Sequence, residues 1–251
     1  MCAETKVHEK LLGYVSRLLV EAADQEGSKI IKDPEIIRRH VANPEFPYLV
    51  SFPRTGSHWL RMLMELYFEM PSLVLAFYYH DKKDYLLLHT HDLELDLVRS
   101  NVLYLYRHPV TTIYSQMTYH CEEINSRERI IYWADLYGRH VDKWLCQERF
   151  TKRKTIVTYG EMKQDIAAVF RKLSAHFDKP FDEEKLKRGV LQVTKEEVKR
   201  KTPHDPRVIQ AEASNHDARR QFADTHSSLI WDTVLHERRH LWEELSKEAL
   251  V

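Results

Sequence analysis

The stretch Leu49-Val50-Ser51-Phe52-Pro53-Arg54-Thr55-Gly56-Ser57-His58-Trp59-Leu60-Arg61 decides the fold. An apolar run of strand formers stops at a proline, which offers no N–H to a ladder. A short loop with one glycine follows. Then Trp59-Leu60-Arg61-Met62-Leu63-Met64-Glu65-Leu66-Tyr67 spaces its apolar residues as a helix does. Strand, tight loop and helix in that order gather backbone N–H groups and a helix N-terminus around one point, which suits a phosphate or sulfate. Arg54, Ser57 and His58 add side-chain donors, so the segment reads as an anion cradle.

Two common anion loops do not fit. The chain has no Gly-Lys-Ser/Thr triplet, which the ATPase and GTPase loop needs, and no set of three spaced glycines for a dinucleotide fingerprint. Pro53-Arg54-Thr55-Gly56-Ser57-His58-Trp59 instead resembles the Pro-Lys-Ser-Gly-Thr-Thr-Trp loop of the sulfotransferases that use 3′-phosphoadenosine 5′-phosphosulfate (PAPS). The resemblance implies that the loop from Arg54 through Thr55, Gly56, Ser57 and His58 holds the 5′-phosphosulfate, with Trp59 against the adenine. Arg54 takes the lysine's place, and Ser57 and His58 take those of the two threonines. The change matters, because arginine is a bidentate, always-charged clamp where lysine is a mobile point charge.

A second segment, Asn101-Val102-Leu103-Tyr104-Leu105-Tyr106, reads as a buried strand ending in Arg107-His108-Pro109, with a helix expected from Val110 through Ser115 to Tyr119. An arginine at the C-terminal end of a strand points into the crevice where open α/β sheets bind ligands. The same family carries Arg-Asn/Asp-Pro after a strand and a Ser eight residues beyond the Arg. That implies 3′-phosphate contacts from Arg107 and Ser115, although His108 departs from the pattern. A third run, Thr155-Ile156-Val157-Thr158-Tyr159, resembles the family's strand before Tyr-Glu-Asp, which implies that Tyr159 lies near the adenine; a plain core aromatic is the alternative. Farther on the likeness thins, since no glycine follows Gly189. Asp217-Ala218-Arg219-Arg220-Gln221-Phe222, followed by a helical Ile230–Leu235 run, has the shape of a bacterial Trp-Arg…Phe counterpart. It makes Arg219 and Arg220 phosphate candidates, against the alternative of surface charges on a loop. Lys187, Arg188 and the basic run 199–201 are the other candidates.

General-base help falls most naturally to histidine, whose ordinary pKa lies near working pH. The strand-like Tyr85-Leu86-Leu87-Leu88 leads into His89-Thr90-His91-Asp92. Relatives that modify hydroxyls carry Lys-Thr-His here, which implies His91 as base and His89 in the lysine's place. The two imidazoles are expected on opposite faces of the extended segment, so that one of them reaches the site. Zinc sites normally use three or four ligands, and no cysteine cluster or further close pair joins these histidines, so no metal is expected. A carboxylate base is the other option. Glu65 and Glu69, one turn apart after the loop, are its candidates, against a reading as solvated helix-face residues. The expected reaction is a single in-line displacement.

The 251 residues suit one α/β domain, with strand and helix patterns alternating around a central, mainly parallel sheet flanked by helices. Residues 1–251 are expected to form that single domain, with 1–45 as a helical N-terminal extension carrying an apolar stripe at Leu11, Leu12, Val15, Leu18 and Leu19. Lysine plus arginine and aspartate plus glutamate number 38 each, so net charge is zero, which argues against a broad nucleic-acid surface. No apolar run approaches the ~18 residues of a membrane helix. The N-terminus has no signal-peptide pattern, and Cys2, Cys121 and Cys146 are odd in number and widely spaced. A cytoplasmic enzyme is therefore expected.

The leading function is sulfuryl transfer from PAPS to a hydroxyl, or as second choice an amine, of a small molecule or glycan, leaving 3′,5′-adenosine bisphosphate (PAP). Residues 71–84 and 116–133 flank the nucleotide segments. Their Phe77, Tyr78, Tyr79, Tyr119, Tyr132 and Trp133 suit a flat acceptor, or serve as core. Two other classes stay open. A nucleotide-dependent phosphotransferase calls for a Mg²⁺-binding acid where Arg107 stands. A non-catalytic nucleotide-binding module is compatible with Arg54 and His58. Oligomeric state is not legible.

Overall fold

The computed structural model describes residues 29–31, 33–203, 205, 207–209 and 212–248; the stripe at 11–19 lies outside them. Four strands form a parallel sheet in the order β4 (Leu88–Thr90), β2 (Tyr48–Ser51), β5 (Asn101–Tyr106), β6 (Arg153–Thr158). Every residue of β2 and β5 is buried, which is why they read as near-continuous apolar runs. Alternation sorts them onto two faces. Tyr48, Val50, Phe52, Val102, Tyr104 and Tyr106 pack toward α1 (Pro34–Ala42), α3 (Pro109–Tyr119), α4 (Arg127–Val141) and α9 (Glu212–Leu235). Leu49, Leu103, Leu105 and Val157 pack toward α2 (Ser57–Phe68), α5 (Tyr159–Gln164), α6 (Ile166–His176), α7 (Glu183–Gln192) and α8 (Lys195–Lys201). The last helix among the described residues is the short α10 (Trp242–Leu245).

Local chemistry sets the boundaries. Asp33 caps α1 by accepting from the Glu35 N–H at 2.9 Å, with Pro34 as the first helical residue. Pro109 opens α3 the same way. Thr158 and Glu161 form a reciprocal capping box where β6 becomes α5. The parallel register sets Ser51 beside Leu105 and Tyr106 beside Thr158. The C-terminal ends of β2, β5 and β6 therefore open on a common crevice, and their next residues carry the loop, Arg107 and Tyr159.

Several expectations are corrected. Lys29–Ile30 (β1) is a strand that pairs antiparallel with β3 (Leu75–Ala76), so the N-terminal segment is not wholly helical. The strand expected at 85–88 starts at Leu88 and runs through Thr90; Leu86 and Leu87 instead bond the backbone of Pro71 and Leu73. Asp165 breaks the helix after β6 in two and caps the second half through the Ala168 N–H at 2.9 Å. Arg219 and Arg220 lie on the long helix α9, not on a loop.

Glu65 is the largest departure. It is fully buried and accepts from the backbone N–H groups of Ser72, Phe77 and Tyr78 at 3.0, 2.8 and 2.8 Å. Burial pushes its pKa up, while the Arg61 guanidinium opposes that. It is thus the anchor of the 72–78 loop and not a solvated helix-face residue. Glu69 is exposed and pairs with Lys185 at 3.2 Å.

A second buried polar unit lies under β5. The Tyr104 hydroxyl is 3.0 Å from His140 Nδ1, and His140 Nε2 is 2.8 Å from the His91 carbonyl oxygen. A carbonyl only accepts, so Nε2 carries the hydrogen and Nδ1 accepts from the tyrosine. Burial lowers the His140 pKa to about 3.

Glu65→Ala strands three buried N–H groups and removes the charge facing Arg61, so urea unfolding should show a loss of roughly 3–5 kcal/mol; a loss within error would refute the anchor role. For His140, the folded pKa lies below the ordinary value of about 6.5, so its contribution is complete above pH 6.5 and fades as pH falls toward 3. The stability cost of His140→Asn should therefore be greatest near pH 7.5 and shrink steadily in acid. A cost independent of pH would mean that the ring is not held neutral.

Candidate functional site

The phosphate-type loop forms as its residues dictate. Pro53 ends the ladder, Thr55 Oγ1 donates to the Phe52 carbonyl at 2.8 Å, and Arg54 and Gly56 take positive φ values of 67° and 93°. Left-handed residues inside a tight turn aim successive N–H groups inward. Gly56 is required twice over: its φ disfavours a side chain, and a Cβ there would lie 2.8 Å from the Tyr159 ring. It caps α2, whose first turn has no side-chain cap and no acidic residue. The N-terminal N–H groups from Ser57 onward are thus open to an anion.

The nucleotide candidates converge on this loop. The Arg107 guanidinium lies 4.3 Å over the Tyr159 ring, and Tyr159 and Trp59 have centroids 6.3 Å apart. The Tyr137 hydroxyl donates to the Arg107 carbonyl and holds the strand end in place. Arg54 Nε lies 3.5 Å from Ser115 Oγ. Burial lowers the Arg107 pKa, and the positive charges of Arg219 and Arg54 add to that. The arginines at 54, 107 and 219 therefore share one region, which suits a ligand carrying several negative charges. Arg220 is exposed, and none of these contacts involves it. Three of the other basic candidates are engaged elsewhere: Lys187 with Glu183 and Glu184, Arg200 with Glu197, Lys201 with the Phe77 carbonyl.

Arg54 itself is turned toward α3 and the chain beyond α8. It donates to the carbonyls of Arg207 and Val208 at 3.1 and 2.9 Å, lies 3.8 Å from the Asp205 carboxylate and stacks 4.6 Å over Tyr119. Burial lowers its pKa, with Asp205 the largest opposing influence.

Both histidines reach the crevice, contrary to expectation. Residues i and i+2 of an extended strand share a face, and His89 and His91 have ring centroids 4.6 Å apart. Both meet Ser51, the last residue of β2: His89 Nε2 is 3.0 Å from its hydroxyl, and His91 Nδ1 is 2.8 Å from its carbonyl. The carbonyl requires a hydrogen on His91 Nδ1, which leaves Nε2 with a lone pair. Burial lowers the His91 pKa to about 4, with Arg54 and Arg61 adding to the effect and the Ser51 bond opposing it. His89 is pushed well below its ordinary value by burial and by His91, Arg61 and His58.

The support around His91 was not read from sequence. His140 holds its carbonyl, and Asp92 beside it is buried against Lys143 Nζ at 2.7 Å and Trp144 Nε1 at 2.9 Å. Among the acceptor candidates, Phe77 lies 5.8 Å from the His58 ring and 4.8 Å from the Arg61 guanidinium, and Tyr119 borders Arg54. Tyr78 donates to Glu197 at 2.9 Å. Tyr132 is exposed, and Trp133 is core, donating to Glu122 at 2.8 Å.

Comparison with known proteins bears on this site. The solved mouse sulfotransferase SULT7A1 complexed with PAP is similar over 82% of this chain and 88% of its own, with a TM-score of 0.52 and 14% identity. The sulfotransferase domain from the curacin biosynthetic pathway aligns over 74% of this chain and 98% of its own, with a TM-score of 0.44 and 15% identity. At these identities the first likeness speaks to the fold. No curated protein matches by sequence. The sulfotransferase domain family matches residues 81–231, more than half of the 251, and the chain belongs to that family.

Proposed function

We propose that the chain transfers a sulfuryl group from PAPS to an acceptor hydroxyl, with an amine as second choice, on a small molecule or glycan, releasing PAP. The observation that carries this reading is the tautomer of His91, whose Nε2 lone pair is fixed by the Nδ1 bond to Ser51 at the crevice. The donor set fits the nucleotide. The α2 N-terminus with Ser57 and His58 would hold the 5′-phosphosulfate, Arg107, Ser115 and Arg219 the 3′-phosphate, and Trp59 and Tyr159 the adenine. Arg54 stands between the two anionic groups. The bound nucleotide supplies the sulfuryl group and a phosphate leaving group.

The residues of the chain divide the remaining work. His91 Nε2 accepts the acceptor's proton, and its depressed pKa keeps it in the basic form at neutral pH. Negative charge brought into the crevice favours the imidazolium and so strengthens the base. Preorganised donors on charge that develops during transfer are worth about 3 kcal/mol each in comparable sites. His89, bonded to the Ser51 hydroxyl, packs edge-on against His91 and supports its ring. We read the chain as one domain. No helix among the described residues is long and apolar enough to cross a membrane, and Cys121 and Cys146 are unbridged, which supports a cytoplasmic setting.

Thermal unfolding tests the nucleotide: PAP at ~100 times its dissociation constant adds about 2.7 kcal/mol and should raise the Tm by several degrees. Arg107→Ala should abolish the shift. Stabilisation by ATP-Mg²⁺ and not by PAP would replace this reading with the phosphotransferase. Separately, His91→Ala should lower kcat for PAPS-dependent sulfation by about 10²–10⁴ while the PAP shift persists. Equal activity in wild type and His91→Ala would remove His91 as base.

A further inference from the structure

Away from the crevice, α4 does not end as a regular helix. Its last residues pass into a π turn, Asp142–Cys146, closed by the Gln147 N–H on the Asp142 carbonyl at 3.3 Å. Such turns are uncommon and recur at functional positions. This one sets Asp142 and Cys146 on one side. Ninety-eight residues after Asp142, a 3₁₀ turn at Arg239–Leu241 brings His240 Nε2 to 2.6 Å from Asp142 Oδ1. The Asp142 carboxylate, the Cys146 sulfur and the His240 ring nitrogen all lie within 4.8 Å of one another, the one such triplet found among the described residues.

We propose that Asp142, Cys146 and His240 bind a borderline-soft divalent cation, Zn²⁺ by preference, as a clip between the end of α4 and the chain that follows α9. One thiolate, one imidazole and one carboxylate is a zinc-type donor set, softer than Mg²⁺ or Ca²⁺ takes. Donors about 2.0–2.3 Å from one tetrahedral ion lie about 3.3–3.7 Å apart, so closure opens the 2.6 Å contact between His240 and Asp142 and draws the wider pairs, within 4.8 Å, together by up to about 1 Å. The ion can enter, because the His240 side chain is 54% exposed and that of Asp142 21%.

The surroundings hold the donors in place. Gln147 Nε2 donates to the second Asp142 oxygen, an outer contact that orients a ligating carboxylate. Arg238 Nη2 donates to Asp135 Oδ1 at 2.8 Å and fixes the residues before His240 against α4. Lys154 Nζ donates to the Leu145 carbonyl at 2.8 Å and pins the π turn to the start of β6, the strand end opposite Tyr159. Burial and the Asp142 and Glu244 carboxylates push the Cys146 thiol up, with Lys154 opposing. A divalent ion would be coordinated by the Cys146 thiolate, with release of the thiol proton to solvent. Water would fill the fourth position.

The test uses the full chain with Cys2→Ser and Cys121→Ser, so that Cys146 is the one thiol. One equivalent of Co²⁺ should produce a thiolate-to-cobalt charge-transfer absorption, and Zn²⁺ should displace it and raise the Tm. Adding Cys146→Ser should remove the band, and His240→Ala or Asp142→Ala should weaken Co²⁺ binding at least about tenfold. An absent band at stoichiometric Co²⁺ would overturn the site and leave an ordinary Asp–His pair beside a thiol. A band with unchanged affinity in both ligand variants would overturn it equally. Sulfuryl transfer is not read, so this result is independent of the proposed activity.

Discussion

The bond from the His91 imidazole to the Ser51 carbonyl, 2.8 Å long, ties the ends of two parallel strands where the crevice begins. Ser51 closes β2, and its next residues become the anion loop, so one backbone group positions both the loop and the imidazole. The Ser51 hydroxyl reaches His89 as well, and His140 holds His91 from beneath through its carbonyl. Rigid strand ends place such groups more closely than loops do, because each is fixed by a ladder and by packing on both faces.

Electrostatically the crevice differs from the whole chain. Overall charge balances at 38 against 38, yet the arginines at 54, 61 and 107 lie at or beneath one strand edge, with Arg219 near Arg107. Asp205 stands 3.8 Å from Arg54, and Glu65 is committed to three backbone N–H groups. Arginine at position 54 is suited to this arrangement, because its planar fork reaches Ser115 and two carbonyls at once, where a lysine would be a single point charge.

Much of the site was legible because its signals are local. Pro53 and Gly56 mark the loop, Arg107-His108-Pro109 marks a strand end meeting a helix start, and the β-branched run ending at Tyr159 marks the next one. What stayed hidden depends on distant partners. Glu65 looked solvated because nothing near it in sequence shows that the 72–78 loop returns to give it N–H groups. The His89 and His91 faces were misjudged by overlooking the two-residue period of a strand. The strand at 85–88 was placed early because Leu86 and Leu87 bond irregular backbone instead of β2. Asp142, Cys146 and His240 carry no spacing motif, since the fold alone joins them.

The low pKa of His91 and the gathered arginines have one origin. A partly dry crevice rich in positive charge disfavours another cation, so the imidazole stays neutral and weakly basic while no anion is present. An anionic ligand relieves the arginines and raises the basicity of His91 by the same Coulomb interaction, because both respond to the same negative charge at short range. On the proposed reading, base strength would be coupled to occupancy of the anion loop, and an acceptor entering before the nucleotide would meet a poorer base than one entering after it, with no moving part required.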